Sequence, residues 1–67
     1  MNDFLTMKLL NDLEVLINDD IDQLIPKREN CAAQDKYSYR YIIKKLEVAL
    51  GAVHKAQDKI KEMEGKN

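Results

Sequence analysis

Residues 39–60, YRYIIKKLEVALGAVHKAQDKI, read as one helix with two apolar faces, and that reading decides the fold. At about 100° per residue, with Leu46 at the origin, Tyr39, Ile42, Ile43, Leu46, Ala49, Leu50, Val53 and Ile60 fall within about 60° of one another. That is an ordinary core stripe. Tyr41, Val48, Ala52, Ala56 and Met63 gather in a second sector, roughly 80 to 160° away on one side. A single partner helix can cover the first stripe but hardly the second. The second sector is therefore expected to meet something outside the chain.

Upstream, residues 3–25 read as the partner helix. Around Leu13, the residues Leu9, Leu10, Leu16, Ile17, Ile21 and Leu24 recur at helical spacing. Asn2 or Asp3 can cap the N-terminus through a side-chain oxygen. Pro26 lacks an N–H and clashes with the preceding turn, so the helix is expected to stop there. Lys27 and Arg28 then sit at the negative end of the helix dipole. Residues 26–31 form the connection, and two caps compete for the start of the second helix. Asn30 would start it at Cys31, and Asp35 would start it at Lys36. The earlier start is preferred, because Ala32, Ala33 and Gln34 favour helix and short connections are usual between packed helices. The second helix then covers about 31–64, with Gly65 as its stop and Lys61 and Lys66 near the carbonyl end. Gly51 lies on its polar side, either tolerated or marking close approach by a partner.

These elements predict an all-α fold, an antiparallel hairpin of two long helices forming a single domain, 1–67. Dimerisation or a bound partner would complete a bundle. The size of the chain argues the same way, since 67 residues bury only about 60% of the surface their unfolded form exposes. Small scaffolds add disulfides, a metal or a second subunit. The single cysteine, Cys31, excludes an internal disulfide, and one histidine with one cysteine excludes an all-His/Cys zinc site. No metal or cofactor is expected, which leaves assembly.

Two glycines, one proline and 45% hydrophobic residues argue against disorder. No apolar run has the length of a membrane span, and Met1-Asn2-Asp3-Phe4 lacks the basic start of a secretory signal. A cytoplasmic protein with no membrane partner is expected. Net charge is −1 but unevenly placed. Residues 1–34 hold three bases against seven acids, a net −4, and residues 35–67 hold eight bases against five acids, a net +3. Opposed halves suit mutual steering within a hairpin or between subunits, with nucleic-acid binding by the basic half as the competing use.

Several residues invite a chemical reading. Asp20 lies close to the first helix's apolar stripe and must be paired, protonated or able to reach water. Asn18, Asp19, Asp20 and Asp22 lack the glycine turn and closing glutamate of a calcium loop, so a solvated acidic face is expected. Tyr37, Arg40, Lys44, Lys55 and Lys59 share a broad face of the second helix and could take nucleic-acid phosphates or form the rim of a protein interface. His54 has no serine or cysteine placed beside it for a nucleophile–base pair. Cys31 reads as a small buried filler. Ala49, Ala52 and Ala56 would let another helix backbone approach closely. No catalytic motif is present, so the protein is not expected to be an enzyme.

In length and layout the chain resembles the small co-chaperones of type III secretion needle subunits. Lys45-Leu46-Glu47, Ala49 and His54 are similar to the second helix of that family, over about ten residues of generic helix with no diagnostic motif. The plasmid-copy-control RNA-binding hairpin proteins share the expected dimer architecture without a motif match. The function expected is a small non-enzymatic protein-binding module: an adaptor, small chaperone or inhibitor. Chains of this size are common among accessory genes of phages and mobile elements, which is the setting expected here. Tyr41, Val48, Ala52, Ala56 and Met63 would dock apolar area on another protein or a second copy. The alternative is a dimeric hairpin binding RNA or DNA phosphates through the basic face.

Overall fold

A computed structural model describes residues 3–65, and all of these except Cys31 and Ala32 are helical. Helix α1 spans Asp3–Asn30 and α2 spans Ala33–Gly65. At about 1.5 Å per residue, α2 alone is about 50 Å long. The molecule measures 53 × 15 × 15 Å between Cα extremes, so it is one helix long and two helices wide. Asn11 meets Gln57 and Glu14 meets His54: three residues up α1 for three residues down α2, an antiparallel hairpin. The expected all-α hairpin is the fold.

The helix boundaries differ from expectation at the turn. Helix α1 continues through Pro26 for a further turn instead of ending at Ile25. Proline leaves the Asp22 carbonyl without its helical partner, but Asp22 is exposed, where water can take that bond. Side chains then close the end. Asn30 Nδ2 donates to the Pro26 carbonyl at 2.8 Å, and Cys31 Sγ donates to the Arg28 carbonyl at 3.3 Å. Asn30 is thus turned back onto α1 and does not cap α2. Helix α2 begins at Ala33, between the two starts weighed from the sequence, behind a turn in which Asp35 N donates to the Ala32 carbonyl at 2.9 Å. Asp35 lies in that first turn, where the helix dipole favours a carboxylate. Gly65 is still helical and does not adopt a left-handed conformation. The Asn2 cap and Lys66 lie outside the described residues.

The core is a narrow seam. Ile43, Val53, Gln57 and Ile60 are the buried residues among those described, and the half-buried Leu46 and Leu50 fill the gaps between them. The resulting series 43, 46, 50, 53, 57, 60 alternates steps of three and four, the pattern of a helix that meets one partner along one line. Helix α1 answers with the half-buried Met7, Leu10, Glu14, Ile17, Ile21 and Leu24. Four residues expected in the core stand outside the seam. Leu9 is 58% exposed and Leu16 60%, and Ile42 and Ala49 are also exposed. The physical reason is width: each apolar stripe is broader than one neighbouring helix can cover. Asp20 is exposed and reaches water, and Cys31 is half-buried.

Candidate partner-binding surface

The second sector of α2 is open to solvent. Tyr41, Val48 and Met63 are exposed large hydrophobic side chains, Val48 at 62%; Ala52 is exposed and Ala56 half-buried. Helical geometry extends this surface with Ile42 and Ala49, which fall between the sector and the seam.

The sequence did not reveal that α1 contributes to the same face. On α1, Leu9 and Leu16 lie about 110 to 130° behind the seam in the sense of helix rotation. On α2, Ile42, Ala49, Ala52 and Ala56 likewise lie behind theirs. The helices are antiparallel, so the two rotations run in opposite senses and both stripes emerge on one side of the hairpin. Residues ahead of the seam then lie on the other side. His54 lies on that other side, ahead of the α2 seam, and its Nε2 is 3.2 Å from Oε1 of Glu14 in the α1 seam. One face therefore carries an apolar strip, Leu9 and Leu16 of α1 beside Ile42, Ala49, Ala52 and Ala56 of α2, with Asp20, Lys45 and Lys59 among them, and the opposite face carries the Glu14–His54 contact. The exposed Phe4 and Val15 lie ahead of the α1 seam, on the side of the polar pair, and Tyr37 lies on the back of α2.

The basic residues divide into two groups. Tyr37, Arg40, Tyr41, Lys44 and Lys45 line a shallow depression of about 330 Å³ near the turn. Within it the Lys45 ammonium stands over the Tyr41 ring, 5.3 Å from its centre, a cation–π contact. A neighbouring depression of about 410 Å³ is lined by Arg28, Glu29, Lys36 and Arg40. Lys55 and Lys59 lie turns away towards the open end, and Lys59 pairs with Glu62 at 3.6 Å. The structure thus brings Tyr37, Arg40 and Lys44 together and leaves Lys55 and Lys59 apart from them.

Among the described residues no group of three His, Cys, Asp or Glu side chains could hold a metal ion. No helix of the described residues is long and apolar enough to cross a membrane. Gly51 has open space where a side chain would begin, so nothing within the hairpin requires its smallness. Comparisons with protein-family models, with curated proteins and with solved structures find no match.

Proposed function

We propose that the chain is a small non-enzymatic protein-binding module, of the adaptor, small-chaperone or inhibitor kind, acting through the apolar face shared by α1 and α2. What supports the reading is the exposure of Leu9, Leu16, Val48 and Met63 on a hairpin whose buried apolar core is only Ile43, Val53 and Ile60 among the described residues. Apolar area beyond what solubility tolerates on a small surface marks an interaction site. The mechanism is occlusion: Tyr41, Val48, Ala52, Ala56 and Met63 dock, while the bases at the rim steer an acidic partner.

A second reading rests on the depression formed by Tyr37, Arg40, Tyr41, Lys44 and Lys45, where aromatic rings and cations meet as in single-strand nucleic-acid sites. Two variants separate the readings. Ala52→Asp puts a charge in the apolar face; it should stay helical by circular dichroism and lose its partner in a pull-down, because an unpaired desolvated charge is costly. The double variant Arg40→Glu/Lys44→Glu, with both changes in that depression, should retain that partner. The nucleic-acid reading takes over if Ala52→Asp binds normally while the double variant loses a gel shift. Phosphate binding would also fall by orders of magnitude between low and moderate salt.

A further inference from the structure

We infer that the occupant of the apolar face is a second copy of this chain, giving a four-helix bundle with its two-fold axis parallel to the helices. The inference rests on the protein-binding reading and names the partner. Three observations carry it.

The first is area. The hairpin measures 53 by 15 Å between Cα extremes, so one whole side of it is about 800 Å² and the apolar strip is part of that side, on the scale of what each partner contributes to a stable interface of standard size.

The second is shape. A two-fold axis along the helices sets α1 of one copy on α2 of the other, running antiparallel, so all four adjacent helix pairs are antiparallel. In the side-chain register of the Asn11–Gln57 and Glu14–His54 pairs, Leu16 of one copy reaches the level of Ala52 of the other, within a turn. Leu9 reaches the level of Ala56 and Lys59 in the same way. Bulky leucines of α1 thus face the small residues Ala49, Ala52 and Ala56 of α2, which permit close approach.

The third is charge. Asp12 and Asp20 flank the leucines of α1, and Lys45 and Lys59 flank the alanines of α2. The same register puts Lys59 within a turn of Asp12 of the other copy and Lys45 within a turn of Asp20. Asp12 now pairs with Lys8, and Lys59 with Glu62, each within its own helix and exposed, so the bundle need only re-pair them. A two-fold axis perpendicular to the helices, with α1 on α1, would instead set acid on acid and base on base.

Cross-linking in the full chain tests the arrangement. Leu16→Cys and Ala52→Cys are made separately in a Cys31→Ser background, where the serine hydroxyl can still donate to the Arg28 carbonyl. The two are mixed at micromolar concentration and treated with a short bis-maleimide. The bundle predicts a cross-linked pair in the mixture, little in either variant alone, and twice the single-chain mass by light scattering. Leu9→Cys with Lys59→Cys reads the same register if circular dichroism shows either first variant unfolded. A single-chain mass without cross-links overturns the dimer, and efficient cross-linking of Leu16→Cys to itself overturns the axis. A single-chain mass with a partner lost from Ala52→Asp leaves the protein-binding reading standing without the dimer. An Ala52→Asp variant unchanged in both mass and binding removes both.

Discussion

Gln57 lies in the hydrophobic seam, 7% exposed, and donates a hydrogen bond from Nε2 to Asn11 Oδ1 of the opposite helix at 2.9 Å. It occupies the seam position between Val53 and Ile60, where an apolar side chain would pack better. A buried amide there is stable only in a register that brings an acceptor opposite it. The pair therefore trades stability for a single alignment of α1 on α2, as polar residues do at core positions of coiled coils.

Two variants measure that trade. Asn11→Ala leaves the buried Gln57 amide without its acceptor and should cost about 1–3 kcal/mol. Gln57→Leu removes the buried polar group and should raise the thermal midpoint, since exposed Asn11 can turn to water. Melts followed by circular dichroism at equal chain concentration give both values. A lower midpoint for Gln57→Leu would remove Gln57 from the seam.

The centre of the core predicts a ranking. Ile43 is 5% exposed and Ile60 6%, whereas Leu46, central by sequence periodicity, is half-buried. Ile43→Ala and Ile60→Ala should each cost about 2–5 kcal/mol, and Leu46→Ala less. Urea titrations of the three variants give the order, and Leu46→Ala as the most damaging would restore the register read from the sequence.

Gly51→Ala should stabilise the protein by about 1 kcal/mol. Its backbone is helical, its added methyl meets nothing within 4 Å, and alanine loses less conformational entropy in a helix. Thermal melts check the gain. A loss would mean that something outside the single hairpin packs against the Gly51 backbone.

The polar face predicts a small effect. Glu14 and His54 are 37% and 52% exposed at their side chains, so water screens the pair. Glu14→Gln should change stability by less than about 1 kcal/mol, clearly less than Asn11→Ala three residues away. Comparable losses from the two would make the His54 contact an integral part of the core.

The second sector of α2 was legible in the sequence because it depends only on helical spacing: Tyr41, Val48 and Met63 are exposed where the 100° wheel puts them. Leu9 and Leu16 were read as core because apolar periodicity records how wide a stripe is, not how much of it one neighbour covers. Gln57 was missed for a related reason. Nothing local marks a glutamine as buried, and its partner Asn11 is 46 residues away.

The amino-acid sequence by itself determined that this protein is two long helices joined near residue 30, since spacing, capping preference and chain length act through neighbours a few residues apart. Tertiary structure decided the rest: how far α1 runs beyond Pro26, which line of each stripe becomes the seam, and that the uncovered leucines of α1 share a face with the alanines of α2. Those features depend on the relative rotation and register of two helices. Rotation and register follow from contacts across the hairpin, between residues that periodicity along either helix cannot pair.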